Sequence, residues 1–422
     1  MSKFFINNNF LKKEIVFFLI LYFTLLLGFI FDENSTGGAI IDYLNQKKIS
    51  QDFAKAFGQT LLNYDSYTTR HSPVLIIFLS FFEKLNLNDY LIRFIHLNLM
   101  LCLPILFYLC LKLKYEFVKK EILLLLVALI FISPTFRSLS IWPDSRLLGL
   151  ALFSLSIYFY LKFDKEKKFK DALLNVFCCA SSAYVSPNFS IFSLYFFVNF
   201  FIFYKSNYQQ IIKLTLLNII LSLPAIHYIF FLDINFLNKP AAVTSIQNNN
   251  IFFNNIFNNL LLILSIIFFY LIPFIFFKVI KLNKIYNIKN ITLSLILTAV
   301  SIFFFDYEYS YTGGGIFYKA SIFLFQNNIL FFIISFISIL VILNLSSNNY
   351  NNLIIITLLL VSNPQITVYH KYYDPFLIIL FFTIFKFNLD LKNLNKNKNF
   401  TYIFLFFFIF LIINNIKHIW TI

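Results

Sequence analysis

Two adjacent carboxylates after the first apolar stretch are the side chains best suited to acid–base chemistry. Asp32 and Glu33 follow that stretch directly and precede a polar run that ends in Gly37-Gly38. Carboxylates where a helix leaves a membrane are costly unless they are hydrated, paired or bound to a cation. Either acid could act as a general base or bind a hard cation. The structural alternative is a hydrated helix end followed by a glycine turn.

Arginine, histidine and lysine recur in three short segments at the ends of apolar stretches. An arginine can bind a phosphate through a bidentate fork, and a histidine or lysine can add charge beside it. Arg70 could instead anchor the chain to lipid head groups, and Asp144 could simply pair with Arg146. The candidate substrate-binding residues of these segments are Arg70, His71, Asp144, Arg146, His370 and Lys371.

A fourth segment combines acids, aromatic rings and glycines. Asp306 and Glu308 alternate with tyrosines and precede Gly313-Gly314-Gly315. Aromatic rings and carboxylates are common partners of sugar rings and hydroxyls, and a glycine run lets backbone N–H groups approach an anion. Asp306 and Glu308 are therefore further candidates for substrate binding, with a mobile outer loop as the alternative.

The other reactive residues form no established motif. Cys102, Cys110, Cys178 and Cys179 lie in apolar stretches without metal-ligand spacing, as is typical of buried hydrophobic residues. The sequence has no phosphate-binding Gly-Lys-Ser/Thr loop, no zinc pattern and no serine-hydrolase elbow. We therefore predict no definite cofactor, although a divalent cation at the acidic residues stays open.

The composition indicates a fold built in lipid. Of the 422 residues, 59% are hydrophobic and only 13% are charged, so one soluble core could not bury the apolar surface. Apolar runs long enough to cross a hydrocarbon layer of about 30 Å recur along the whole chain. We predict an all-α polytopic transmembrane bundle, forming a single domain of residues 1–422.

The apolar runs predict about 11–13 membrane helices. The stretch 73–83 is too short to cross and is predicted to lie in the interface. The predicted spans are 14–31, 90–111, 121–139, 146–162, 171–185, 188–204, 211–232, 255–277, 290–305, 324–344, 352–368, 375–389 and 400–416.

Basic residues predict the orientation. The net charge of +15 is spread over short loops between apolar runs, which favours a topological role over nucleic-acid binding. Lys3, Lys12 and Lys13 place the N-terminus in the cytoplasm, and alternation then places the other lysine-rich loops there. The candidate residues therefore face outward, on a cell (inner) membrane. The outward segments are 32–72, 134–145, 233–254, 306–315 and 369–374.

Taken together, these residues resemble the GT-C superfamily of integral membrane glycosyltransferases. The similarity is to bacterial members related to protein mannosyltransferases and the lipid A aminoarabinose transferase. These proteins carry an acidic pair after the first helix, as Asp32-Glu33 does here. Arg70-His71-Ser72-Pro73 resembles their His-Pro-Pro turn, with Ser72 in place of a proline. Arg93 and the turn 142–146 also match, and the resemblance covers about residues 14–205.

The resemblance implies a sugar transfer at the outer face of the membrane. The donor would be a polyprenyl-phosphate sugar whose tail stays among membrane lipids, and the acceptor would be a lipid or glycan hydroxyl. Asp32 would accept the hydroxyl proton, Glu33 would assist or bind a cation, and one displacement would invert the anomeric centre. The side chains that would stabilise the leaving phosphate are Arg70, His71, Arg146 and Lys371.

Three alternatives stay open at this stage. A transporter or flippase of lipid-linked glycans would need broken or charged helices near the membrane centre, often within an inverted repeat. A polysaccharide polymerase would use a lipid-diphosphate substrate on a large outer loop. A purely structural membrane protein would need no site at all.

Overall fold

The computed structural model describes residues 8–67, 69, 71–231, 255–282, 287–308, 313–347, 349–363, 367–396 and 398–419. Across these ranges the regular structure is helical, apart from one isolated bridge between Ile280 and Leu389. The all-α fold class predicted from the sequence is therefore confirmed.

The first part of the chain forms nine helices among the described residues. Polar caps begin several of them: Ser72, Asn88 and Ser133 each accept a hydrogen bond from a backbone N–H in the first turn. The helices are α1 (Asn8–Ile30), α2 (Ala39–Lys55), α3 (Phe57–Leu62), α4 (Pro73–Lys84), α5 (Asp89–Met100), α6 (Cys102–Lys114), α7 (Lys120–Phe131), α8 (Pro134–Ile141) and α9 (Ser145–Glu166).

The second part continues the bundle with longer, more apolar helices. Between α10 and α11 lies a 3-10 turn, Pro187–Phe192. The helices are α10 (Phe169–Val185), α11 (Ser193–Tyr204), α12 (Tyr208–Phe230), α13 (Ile256–Phe276), α14 (Ile288–Phe303), α15 (Gly315–Phe325), α16 (Ile329–Ser346), α17 (Tyr350–Val361), α18 (Phe376–Phe382) and α19 (Asn399–Ile419).

Seven helical stretches in the described ranges are long and apolar enough to cross a membrane, which makes the chain a multi-pass membrane protein. In this count α5 and α6 form one stretch, Asp89–Lys114, and the turn Pro187–Phe192 forms another with α11. The pair α7 and α8 would make an eighth span, bent by 62°. Four shorter apolar helices accompany them, and only with these would the crossings reach the predicted 11–13. They are Ile15–Ile30, Ile288–Phe303, Gly315–Phe325 and Tyr350–Val361.

Packing separates a protein-facing interior from a lipid-facing surface. Buried hydrophobic side chains form one continuous cluster from Leu21 in α1 to Phe410 in α19. On α12, by contrast, apolar side chains three or four residues apart are exposed, as suits contact with lipid tails. These side chains include Ile212, Leu216, Ile219 and Leu223.

Several predicted spans differ from the structure. The span 375–389 is wrong as a crossing, because its helix covers only Phe376–Phe382 and lies wholly buried. The span 121–139 is two helices, since Ser133 caps a new helix that starts at Pro134. The span 324–344 is divided where Gln326 adopts a left-handed conformation, with φ of 52°. The span 352–368 is helical only to Val361.

The segment 32–72, which is predicted to face outward, is mostly helical in its described part. Helix α2 buries residues three or four positions apart, from Ala39 to Phe53, and packs against α4. A small second hydrophobic cluster lies between α2 and α4. It contains Ile49, Phe53, Tyr64 and Ile76. The stretch 73–83 is indeed a short helix, α4.

Candidate functional site

Glu33 is held in a buried ion pair. Arg137 Nη2 donates to Glu33 Oε2 at 2.6 Å, and Arg137 Nε lies 2.9 Å from each carboxylate oxygen. The remaining guanidinium contacts go to Thr24, with Nη2 2.8 Å from its carbonyl oxygen. Both charged side chains are more than nine-tenths buried. Both oxygens of Glu33 are engaged by Arg137, and this ion pair joins the end of α1 to α8.

Asp32 has the opposite environment. Its Oδ1 accepts from Arg93 Nη2 at 2.5 Å, but the carboxylate side chain is 61% exposed. Arg93 is buried, stacks 3.5 Å from the centre of the Trp142 ring and donates to the Ile141 carbonyl. The Trp142 Nε1 in turn donates to the Glu33 carbonyl at 3.1 Å. Asp32 is therefore oriented by the turn before α9 and is still accessible.

A second group of polar side chains gathers beside that turn. Asp42 from α2, His71 before α4 and Asp144 at the start of α9 place one potential ligand atom each within 4.8 Å of one another. Their positions follow from the local structure: Asp144 Oδ1 caps α9 by accepting from the Arg146 N–H at 2.7 Å. Asp42, His71 and Asp144 are thus the residues that could hold a metal ion.

Burial and charge shape the ionisation of this group. Burial lowers the pKa of His71, against the pull of the Asp144 and Asp42 carboxylates. Burial alone would raise the pKa of Asp144, but Arg146, His71 and Lys371 hold the pKa of that carboxyl below its ordinary value. Near neutral pH, His71 is then a neutral imidazole next to the ionised Asp144 carboxylate.

Two cations complete the group. Lys371 Nζ lies 2.8 Å from Asp42 Oδ2, and the Arg146 guanidinium stacks 4.1 Å from the centre of the Tyr372 ring. The Nε and Nη1 atoms of Arg146 are buried and find no hydrogen-bond partner among the described residues. Arg146 also lines a cavity of about 10 Å³, room for roughly one water molecule, together with Asn188 and Tyr372.

The segment that carries Lys371 joins four parts of the bundle. His370 Nε2 accepts from the Ile316 N–H at 3.0 Å, at the start of α15. Asp374 Oδ2 accepts from Ser133 Oγ at 2.6 Å and from the Thr135 N–H at 3.0 Å, at the bend between α7 and α8. This short segment therefore fixes Lys371 and Tyr372 next to α2 and α9.

The glycine run contacts the same segment. The Gly314 N–H donates to the Val368 carbonyl at 2.8 Å, and Gly313, Gly314 and Gly315 all have positive φ values, from 76° to 113°. A Cβ on Gly313 would lie 2.6 Å from the Val368 oxygen. Glycine is therefore needed here for close backbone packing. The Gly314 N–H already donates to Val368, so it is not free to bind an anion.

The predicted site residues fall into three sets. His71, Asp144, Arg146 and Lys371 converge on one place, with Asp32 and Glu33 attached to the same turn through Trp142. His370 contacts α15 instead, and Asp306 is exposed and bonded to Asn258 at the start of α13. Glu308 is also exposed. Arg70 lies outside the described residues.

Two residues of this region were missed from the sequence. Asp42 binds Lys371, and Tyr372 stacks on Arg146. Arg93, which binds Asp32, was noted only as part of the resemblance and not as a site residue. The helical spacing of Ala39, Tyr43 and Gln46 could have revealed α2, whose first turn holds Asp42.

The fold and this polar group define a multi-pass α-helical membrane protein with a charged cluster at helix ends. Comparison with models of known protein families, with curated proteins and with solved structures found no match to this chain.

Proposed function

We propose that this protein is an inverting membrane glycosyltransferase of the GT-C type, acting on a polyprenyl-phosphate sugar. The main support is Arg146, a half-buried arginine whose Nε and Nη1 atoms are buried and lack partners in the described part of the chain. Buried guanidinium donors without a hydrogen-bond partner are costly unless an anion can pair with them. Lys371 and His71 lie in the same group and would add positive charge or a hydrogen bond.

A lipid-linked donor would also need room for its tail. A largely apolar cavity of about 280 Å³ lies between α10, α11 and α12. The turn Pro187–Phe192 lines both this cavity and the smaller one at Arg146. Since α12 faces lipid, a hydrocarbon chain could reach this cavity from the bilayer while its phosphate meets Arg146. Side chains around the smaller cavity would have to move to admit the phosphate.

The proposed reaction is a single displacement. The acceptor hydroxyl oxygen attacks the anomeric carbon and loses its proton to Asp32, while the bond from that carbon to the phosphate oxygen breaks with its electron pair. Arg146 and Lys371 stabilise the charge that grows on the leaving phosphate. Arg93 would hold Asp32 in place. Glu33 would have no direct chemical role: its buried ion pair with Arg137 would fix the chain next to Asp32.

The proposal places the active face outward on the inner membrane of the cell envelope, with the N-terminus in the cytoplasm. The lysine-rich loops support this orientation. Single cysteines on a cysteine-free background test it. Asn45→Cys should react with an impermeant reagent in intact cells, whereas Lys167→Cys should not.

Transfer from polyprenyl-phosphate sugars to acceptors is the direct test, with purified full-length protein in liposomes. Wild type should transfer sugar with inversion, and Arg146→Gln should lose nearly all transfer. Arg146→Lys should remain poor, because a point charge replaces a fork. Lys84→Gln, which removes an exposed cation at the end of α4, is the control. Full activity of a folded Arg146→Gln variant, or no transfer by wild type across a broad donor panel, would refute the proposal.

Transport of a lipid-linked glycan is the second candidate, because the 62° bend between α7 and α8 is a broken helix of the kind transporters use. The two functions are separated by following a labelled lipid in the same liposomes. Movement of intact lipid between leaflets, without release of its sugar, would favour transport.

A further inference from the structure

Three chain segments bring a set of potential metal ligands together. Asp42 comes from α2, His71 from the turn before α4 and Asp144 from the start of α9, and their ligand atoms lie within 4.8 Å of one another. A mixed nitrogen and oxygen set of three protein ligands is the arrangement in which zinc sites keep an open position. We propose that Asp42, His71 and Asp144 bind a divalent transition-metal ion, Zn²⁺ being the best match. This site does not depend on the proposed sugar transfer.

Asp144 supplies the independent evidence. Its side chain is only 1% exposed, and Oδ1 is used to cap α9. Oδ2 is buried and has no hydrogen-bond partner among the described residues. A buried carboxylate oxygen without a partner is destabilising unless a cation meets it. A metal ion held between Asp144, His71 and Asp42 would satisfy that oxygen.

The imidazole of His71 has a hydrogen-bond partner at one of its two ring nitrogens. Its Nδ1 lies 3.2 Å from Ser145 Oγ, so Nδ1–H can donate to that hydroxyl. The lone pair is then left on Nε2. Metal-binding histidines usually have their second nitrogen hydrogen-bonded in this way, which fixes the tautomer and the ring orientation. In the proposed site, the Ser145 hydroxyl would hold the His71 ring in this orientation.

Lys371 is the competing cation. Its Nζ lies 2.8 Å from Asp42 Oδ2, and a metal ion on Asp42 would compete with this ammonium for the carboxylate. The long side chain of lysine can turn away, and its Nζ already lies 5.5 Å from the centre of the Tyr369 ring. The site therefore makes an unusual prediction: removing the positive charge of Lys371 should strengthen metal binding.

The test uses full-length protein without a histidine tag, purified in detergent and stripped with a chelator. Co²⁺ serves as the probe, because its visible absorption reports the ligand geometry, and Zn²⁺ is then titrated in competition. Wild type should bind one ion per chain. His71→Ala and Asp144→Asn should weaken binding by more than the roughly 10- to 100-fold that loss of an outer-shell partner costs. Lys371→Met should bind more tightly than wild type.

Two controls separate the site from general metal binding. His227→Ala removes an exposed histidine of α12, and Asp52→Asn removes a carboxylate that accepts from the Tyr67 hydroxyl. Both variants should bind the ion as wild type does. Gel filtration checks that every variant is folded. Absence of stoichiometric binding in wild type, equal binding by folded His71→Ala, or weaker binding by Lys371→Met would each overturn the proposal.

Discussion

Asp32 and Glu33 are neighbours in the chain, and each pairs with an arginine, yet their environments differ sharply. The Arg93–Asp32 and Arg137–Glu33 contacts are almost equally short, at 2.5 and 2.6 Å. The Asp32 side chain is 61% exposed, whereas that of Glu33 is 9% exposed. A buried pair that uses all its oxygens has nothing left to offer a ligand. Position in the fold, and not charge alone, separates a structural acid from an accessible one.

The same contrast extends to the arginines. Arg137 donates hydrogen bonds to Glu33 and Thr24, whereas Nε and Nη1 of Arg146 have no partners among the described residues. The satisfied pair of Arg137 and Glu33 joins α1 to α8, whereas the unpaired atoms of Asp144 and Arg146 at α9 are the ones that we propose bind ligands. Each prediction below tests one side of this contrast.

The largest effect is expected at the exposed acid. If Asp32 is the base, Asp32→Asn should slow sugar transfer about 10²- to 10⁴-fold, because the amide cannot accept the proton. Asp32 adopts a left-handed backbone conformation with φ of 52°, and asparagine tolerates that conformation equally well. The fold should therefore survive. Initial rates of transfer in liposomes, at matched protein amounts, measure the loss.

Asp52→Asn is the matched control for that experiment. Asp52 is also a carboxylate of the segment 32–72, but its Oδ2 accepts from the Tyr67 hydroxyl at 2.9 Å. Its rate should match wild type. If Asp32→Asn transfers sugar at the normal rate, Asp32 is not the base, and the contrast with Glu33 loses its functional meaning.

The buried pair should instead control stability. Arg137→Met leaves the Glu33 carboxylate buried without its partner, which should lower the free energy of unfolding by about 3–5 kcal/mol. Thermal unfolding in detergent measures the change. Adding Glu33→Gln to Arg137→Met removes the stranded charge and should recover part of the loss. A stable single variant would show that the pair is hydrated and not structural.

The sequence was informative where the signal is local. Long apolar runs predicted the helical bundle, and the candidates His71, Asp144, Arg146 and Lys371 do meet in one group. Pairings between distant segments were not predictable. Lys371 and Asp42 are separated by 329 positions, and no pattern in either segment specifies the other.

The ends of helices were the other feature that the sequence did not predict. The run 121–139 was predicted as one span, yet it bends at Ser133, which caps the helix that starts at Pro134. At this bend Ser133 and Thr135 bind the Asp374 carboxylate from a distant segment. The run 375–389 is apolar because it is buried in protein, not because it faces lipid. Hydropathy cannot separate these two causes of an apolar run.

A smaller effect is expected at Gly28, which lies against the buried pair. A Cβ built at this position would be 2.3 Å from Glu33 Oε2 and 2.9 Å from Arg137 Nη2. Gly28→Ala should therefore displace the pair and cost about 1–3 kcal/mol, as overpacking typically does. Gly58→Ala is the control, because nothing lies within 4 Å of its Cβ. In helix α3 that change should be neutral or stabilising, by up to about 1 kcal/mol. Equal thermal stability of the two variants would show that the pair can shift freely.

The smallest effect on stability is expected at a solvent-exposed ion pair. Lys167 Nζ lies 2.6 Å from Asp164 Oδ1, the same distance that joins Arg137 to Glu33, but the two side chains are 44% and 62% exposed. Water and salt screen such a pair, and ordering two flexible side chains offsets most of the attraction. Asp164→Asn should therefore change the free energy of unfolding by about 0.5 kcal/mol or less, measured in the same detergent as Arg137→Met. A loss as large as that of Arg137→Met would mean that contact distance, not burial, decides the strength of these pairs, and the contrast between Asp32 and Glu33 would need another explanation.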